Sequence, residues 1–447
     1  MSSTEPDRLI DLSSLKVSKE LLSSCIHCGL CLPACPTYLV SGLESQSPRG
    51  RILAVAKSAE AGSLSDRAAQ HLSACLGCLG CQTACPSGVH YEEILESVRP
   101  QLAARRTPLL AALMRFSFAK LLPNYWLLRL LGYLLYFAQI LGLTKVPFLL
   151  RAIWPHHSIV IAKLCDFVTF TPSMRLHRSL ASEIERKNIS KNTSVVQFFR
   201  GCVMDVFYNH VNLDAVRVLA ASHNLQLPKQ TCCGALAHHA GDSDLAVKLA
   251  IANIEFFEKT SGEIVVTSAG CGAMLKSYEH LLQGAAADKH LVERARLFAG
   301  RVRDFSEVYA ASLNDCAGKD SQSSAPRKKV AYHAACHLAH AQGVRSEPEA
   351  ILDYLSKIGL IERVELENNE HCCGSAGIYN LINTETSLAV LDAKMDCLEK
   401  CGADVVVTAN PGCLLQLEAG VKARKRNVKV MHLAEAAALK NCHWDKD

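Results

Sequence analysis

The chain carries two copies of one cysteine motif, fifty residues apart. The first reads CIHCGLCLPACP from Cys25 to Pro36, and the second reads CLGCLGCQTACP from Cys75 to Pro86. Three cysteines at steps of three wrap one face of an iron–sulphur cubane and place three thiolates on three irons. The fourth precedes a proline, which turns the chain away, and it ligates the other cluster. The spacing therefore predicts one [4Fe–4S] cluster on Cys25, Cys28, Cys31 and Cys85. It predicts a second on Cys75, Cys78, Cys81 and Cys35. Zinc knots or a disulfide framework are the competing use of such cysteines, but zinc sites rarely show three cysteines at steps of three. Cluster chemistry is one-electron transfer, so electrons are expected to pass through this chain.

At 447 residues, with 49% hydrophobic and 20% charged side chains, the chain is an ordinary globular protein of about three domains. A net charge of +5 and the absence of a basic stripe interleaved with aromatics give no reason to expect nucleic-acid binding. The nearest candidate, KARKRNVK from Lys422 to Lys429, reads as a solvated helix end. Twenty-one cysteines, an odd count, and a polar stretch from Met1 to Ser24 without an apolar signal core point to a reducing compartment. The expected location is cytoplasmic, peripheral on the inner membrane.

The expected architecture is multidomain. Residues 1–105 form an α-helical ferredoxin-like domain, because the spacer between the motifs is helical in character. Pro48 stands near a helix start, RILAVAK follows from Arg51, and DRAAQHL runs from Asp66. Arg49 and Arg51 either lie near a cluster and raise its potential or sit on a helix surface. Residues 106–190 form a basic, amphipathic helical linker. Its longest clean apolar run, Leu130 to Leu143, is shorter than a bilayer-spanning helix requires. Arg115, Lys120, Arg129, Lys145 and Arg151, with Trp126, Tyr133 and Tyr136, suit helices in a membrane interface or on a partner subunit. Core helices joining two domains are the alternative.

Residues 191–320 and 321–447 are two copies of one α/β cysteine-rich unit. The first carries VVQFFRGC ending at Cys202, then Cys232-Cys233-Gly234, then IVVTSAGC ending at Cys271. The second carries VAYHAAC ending at Cys336, then Cys372-Cys373-Gly374, then VVVTANPGC ending at Cys413. Apolar runs such as Val405-Val406-Val407 read as buried strands of a parallel sheet. The cysteines follow these strands, at the carboxyl edge where open α/β sheets hold ligands. The polar segment from Ala317 to Lys329 reads as the linker between repeats.

Paired cluster motifs followed by two C…CCG…C repeats resemble the glycolate oxidase iron–sulphur subunit family over nearly the whole chain. CIHCGLCLPACPTY, SPRGRI, CPSGV, CCGSAG and TSAGCGA carry the likeness. The resemblance implies a non-flavin, electron-transfer subunit of a glycolate dehydrogenase complex. FAD and the site oxidising glycolate to glyoxylate would lie on partner subunits, and electrons would leave toward a quinone or another membrane acceptor. Related subunits serve lactate and glycerol-phosphate dehydrogenases, and heterodisulfide reductases use similar repeats for thiol–disulfide chemistry. Those reductases carry a further cysteine three residues after the last one of each repeat, where this chain has Met274 and Gln416. Four candidate ligands per repeat remain. A further site on Cys336, Cys372, Cys373 and Cys413, and a weaker one on Cys202, Cys232, Cys233 and Cys271, would hold a third cluster, an electron exit or a structural metal. His333, His337 and His371 lie close to the second set in sequence, as cluster hydrogen bonders, proton carriers or loop residues. His27 sits inside the first cluster loop. Cys165, Cys316, Cys397, Cys401 and Cys442 read as buried free thiols.

Overall fold

A computed structural model describes residues 10, 11, 17–153, 159–187, 194–285, 287–313 and 327–441. Cys316, Cys442, the boundary at 320 and most of the linker between repeats lie outside the described residues.

The amino-terminal unit is helical. Ser47 accepts a hydrogen bond from the Gly50 N–H at 3.0 Å and Pro48 occupies the first turn, so the helix Pro48–Ala61 starts there. It stops at Gly62, whose left-handed backbone a side chain would strain. Ser65 caps the next helix, Asp66–Ser73, and Tyr91–Ala104 completes the bundle. The only sheet here among the described residues is a two-residue antiparallel ladder of β1 (Ile10–Asp11) and β2 (Ser63–Leu64). Ile52, Val55, Leu72, Ile94, Leu95 and Val98 form the core, with Cys25, Cys31, Cys75 and Cys85 packed on its edge.

Each repeat is a four-stranded parallel sheet. Repeat one contains β3 (Val195–Phe199), β4 (Asn224–Gln226), β5 (Glu263–Val266) and β6 (Val302–Asp304), in the order β4-β3-β5-β6. Repeat two contains β7 (Lys328–Tyr332), β8 (Ile361–Val364), β9 (Val405–Thr408) and β10 (Lys429–His432), in the matching order β8-β7-β9-β10. Lys328 and Lys329 thus belong to a strand rather than to the linker. Val405, Val406 and Val407 are buried, as their unbroken apolar run predicts.

The two repeats share one core. Helix Asn209–Leu219, which follows the first strand of repeat one, packs on Leu433–Ala438, which follows the last strand of repeat two. The reciprocal pair, Ser346–Lys357 and Phe305–Leu313, packs in the same way. Equivalent elements therefore meet reciprocally, as in a two-fold dimer fused into one chain. The carboxyl ends of β5 and β9 meet between them. The Ala269 N–H donates to the Ala409 carbonyl at 3.1 Å, and the Gly270 N–H donates to Asn410 Oδ1 at 3.0 Å.

The intervening segment forms helices including Pro108–Phe116, Tyr125–Ile140, Val146–Ile153 and Ile159–Thr169. Helix Tyr125–Ile140 has two apolar faces. Tyr125, Leu128 and Gly132 are buried against repeat one, where a Cβ on Gly132 would meet Val206 Cγ1 at 2.9 Å. Arg129 anchors the same face by an ion pair with the fully buried Asp205 at 2.9 Å. The opposite face exposes Leu134, Phe137, Ile140 and Trp126, the last 72% accessible. The core reading thus describes one side of the helix, and the other side is exposed. No single helix among the described residues is long and apolar enough to cross a membrane. The helix ends at Ala423, where Lys422 is exposed and Arg424 and Arg426 pair with Glu399, whereas Lys429 opens β10 and is not part of the helix end.

Candidate metal centres and the cavity between them

The two cluster loops have the same backbone. His27 and Gly77, fifty residues apart, both have positive φ (56° and 63°), as do Gly29 and Leu79 (85° and 61°). Left-handed residues at these points turn successive backbone N–H groups to one side, the concave arrangement that receives an anionic cluster. An L side chain there costs about 1–2 kcal/mol, and each loop relieves one of its two positions with glycine. The arginines repeat as well. A Cβ on Gly29 would meet Arg49 Nη1 at 2.8 Å, and one on Gly77 would meet Arg99 Nη2 at 2.7 Å.

Cys35, Cys75, Cys78 and Cys81 together line one small cavity of about 20 Å³. The cysteine preceding Pro36 therefore stands with the second motif. Hydrogen bonds converge on these sulphurs: the Gly77 N–H and the Tyr91 hydroxyl donate to Cys75 Sγ at 3.4 and 3.5 Å, and Arg51 Nη1 donates to Cys35 Sγ at 3.9 Å. Thr37 Oγ1 lies 3.3 Å from Cys35 Sγ and accepts from Arg51 Nη2 at 3.0 Å. Arg51 is 1% exposed, so it is not a surface arginine. Burial opposes its charge, and the nearby Cys75, Tyr91 and Cys35 more than offset that. Burial pushes the Cys78 and Cys81 thiols well up, so their ionisation depends on a bound metal. Four convergent thiols with donors aimed at sulphur fit an iron–sulphur cluster.

The first set is more open. Cys28 is exposed and Cys25, Cys31 and Cys85 are half-buried; burial first, then the neighbouring Cys25 and Cys35, push the Cys31 thiol up. Arg49 Nη1 holds this loop through the His27 carbonyl at 3.0 Å while pairing with Glu44.

All eight repeat cysteines line a single cavity of about 390 Å³, together with Cys75, Leu76 and Gly77 of the second cluster loop. The reciprocal packing of the repeats explains this, because it turns both carboxyl sheet edges toward one axis. Cys202 Sγ and Cys232 Sγ are 3.7 Å apart. In repeat two the Gly374 N–H donates to Cys372 Sγ at 3.4 Å, and Asn410 Nδ2 donates to Cys413 Sγ at 3.8 Å. Gly374 has φ 93°, and a Cβ there would meet the Ser387 carbonyl at 2.5 Å, so its glycine follows from the backbone. Gln416 is fully buried and brackets this turn through Ser387 Oγ at 2.9 Å and Asn380 at 3.3 Å. Met274 packs in the apolar core of repeat one.

His337 Nδ1 lies 3.5 Å from Cys336 Sγ, and burial pushes its imidazole down to about 4. His371 is half-buried, and burial lowers its proton affinity too. Cys165 is buried, and Cys397 and Cys401 are half-buried on helix Thr384–Cys401. The second cluster loop is fastened to repeat two. Leu76 shares an apolar cluster with Cys336, Cys372 and Tyr379, the Tyr379 hydroxyl donates to the Ala74 carbonyl at 2.9 Å, and His340 Nδ1 lies 3.1 Å from Thr83 Oγ1. Sequence reasoning missed Tyr91, which donates to Cys75 Sγ, and Arg99, which lies against Gly77. The fifty-residue step from Arg49 to Arg99 was the available signal for Arg99.

A model of the 4Fe-4S dicluster domain matches residues 21–89, and a model of the CCG cysteine-rich domain matches residues 196–276 and 330–418. A probable glycolate oxidase iron–sulfur subunit of Bacillus subtilis is 35% identical over 93% of this chain and 93% of its own length. The glycolate oxidase iron–sulfur subunit of Escherichia coli is 28% identical over 95% of this chain and 92% of its own. Lactate utilization protein A of Bacillus subtilis is 29% identical, over 54% of this chain and 97% of its own. With its two cluster loops, its paired cysteine-rich repeats and this end-to-end likeness, the chain belongs to the family of glycolate oxidase iron–sulphur subunits.

Proposed function

We propose that this chain carries electrons for a glycolate-oxidising complex, from an FAD-bearing partner subunit toward a quinone or another membrane acceptor. The observation that supports this most is the fastening of the second cluster loop onto the cysteines of repeat two. Bound clusters would supply one-electron chemistry. The chain's own residues hold two thiol sets close together, dry the second with Leu76 and Tyr91, and place Arg51 beside it. A further metal centre is proposed on Cys336, Cys372, Cys373 and Cys413, and another on Cys202, Cys232, Cys233 and Cys271. Likeness along the whole chain favours glycolate over lactate as the partner's substrate, since the lactate utilization relative matches about half of it. The same reading divides the chain near residues 105, 190 and 320.

Anaerobic chain mixed with its flavoprotein partner and glycolate should lose its cluster absorption as electrons arrive. Glycolate with the chain alone should change nothing. Reduction without the partner, or with lactate but not glycolate, would refute the proposal.

The exposed apolar face of the intervening helices is proposed to rest on the inner membrane. Between Glu96 and Asp166 there is no acidic side chain, while Arg115, Lys120, Lys145 and Arg151 are exposed. Such a surface suits anionic lipid. Binding to vesicles containing anionic phospholipid should weaken at least about tenfold in Trp126→Glu/Leu134→Glu. Unchanged binding would remove these helices from the membrane face.

A further inference from the structure

His333 occupies an unusual position. It follows β7 directly, and its backbone N–H donates to the Val407 carbonyl of β9 at 2.8 Å, which fixes it at the carboxyl edge of the sheet. Its side chain is 0% exposed and neither ring nitrogen reaches hydrogen-bond geometry, the Asn369 backbone and the Lys394 ammonium being the polar groups that act on it. A buried imidazole nitrogen left without a partner loses its hydration uncompensated, which native interiors seldom tolerate.

Two sulphurs also lie beside this ring. A ring nitrogen of His333, Cys373 Sγ and Cys413 Sγ all lie within 4.8 Å of one another, and all three residues are buried. They are the only residues among those described that form such a histidine, cysteine and carboxylate group. Donors around one tetrahedral ion stand about 3.3–3.8 Å apart, given metal–nitrogen bonds of about 2.0 Å and metal–sulphur bonds of about 2.3 Å. This group is therefore close to the scale of a single metal position. His333 does not line the large cavity, whereas Cys373 and Cys413 do, so it meets the two sulphurs outside the cavity wall.

A second observation comes from charge. Lys394 is 3% exposed and forms no ion pair with a carboxylate among the described residues. Its ammonium donates to the Asn368 carbonyl; burial lowers its proton affinity, and the sulphurs of Cys373, Cys397, Cys372 and Cys413 act the other way without fully offsetting it. A buried cation needs a buried anion. Metal-bound thiolates provide one, whereas neutral thiols do not. Repeat one is different, since Arg200 and Gly201 are the residues between β3 and Cys202.

We infer that His333 is a metal ligand, and that the centre of repeat two is a mixed imidazole–thiolate site for a thiophilic transition metal, iron or zinc. His333, Cys373 and Cys413 supply three donors, and Cys336 or Cys372 supplies the fourth. Repeat one is bound by thiolates alone, so the two repeats are chemically unequal despite their common fold. Coordination is read from metal content, so this inference stands or falls separately from the electron-transfer proposal.

The test uses the full chain, prepared without oxygen, loaded with Fe2+ and sulphide or with Zn2+ alone, and desalted. His333→Phe fills the space without a donor, and His333→Cys replaces imidazole with thiolate. The expected result is loss of the repeat-two metal, about one equivalent of zinc, in His333→Phe and retention in His333→Cys. The N-terminal clusters should keep their EPR signal in both variants. The reverse pattern, metal kept with Phe and lost with Cys, would show a packing role and overturn the inference. Should neither variant fold, X-ray absorption at the zinc edge of the unaltered chain decides. A nitrogen neighbour at about 2.0 Å beside the sulphurs supports the site, and an all-sulphur shell overturns it.

Discussion

Replacing Cys35 with alanine is expected to remove the same cluster as replacing Cys78, although Cys35 belongs to the first motif. Four thiols line the small cavity beside Arg51, and Cys35 is among them with Cys75, Cys78 and Cys81. Double variants turn this into a measurement. Cys35→Ala/Cys78→Ala should lose about four of the roughly eight irons of this unit, no more than either single change. Cys35→Ala/Cys28→Ala should lose nearly all of them, because Cys28 lies outside the cavity that Cys35 lines with Cys75, Cys78 and Cys81. Iron analysis with EPR of the reduced protein gives the answer. If the first double variant were the one to lose everything, each motif would hold its own cluster.

The second large effect concerns potential. Arg51→Met should lower the midpoint of the cluster on Cys35, Cys75, Cys78 and Cys81. A buried guanidinium that donates to Cys35 Sγ favours the more negative, reduced state of whatever those thiolates hold. A hydrogen bond from a charged group contributes about 1.5–3 kcal/mol, or about 65–130 mV for a one-electron step. Arg51→Lys, which keeps the charge, should shift it less. Arg49→Met should move the other cluster by no more than about 40 mV, because Arg49 is already paired with Glu44 at the surface. Redox titration followed by EPR separates the two clusters. Equal shifts from Arg49 and Arg51 would mean that burial is not what tunes them.

The two arginines show where sequence reading stops. They are two residues apart on one helix, and both were candidates for a cluster neighbour or a surface residue. Which one is buried depends on Thr37 and His71, which come from segments fourteen and twenty residues away and meet Arg51 only after folding. The intervening helices were ambiguous for a related reason. An apolar helix does not reveal whether protein covers one face or all of it, and in Tyr125–Ile140 only the side toward Val206 is covered.

The duplication, the helix start at Ser47-Pro48, the buried strand at Val405 and the placing of Cys35 with the second motif were legible because each is a local rule. Loop geometry follows from cysteine spacing, a cap from serine before proline, and a central strand from consecutive valines. That both repeats turn their cysteines into one cavity was not legible, and neither was the meeting of His333 with Cys373 and Cys413. Those facts arise from the reciprocal packing of two sheets and from contacts between residues forty to eighty positions apart. Sequence alone determined which chemistry this protein can hold, since thiolate spacing is a property of a few neighbouring residues. Tertiary structure decided which thiols lie side by side and which buried cation faces them, because distance and burial are set by how separate segments pack.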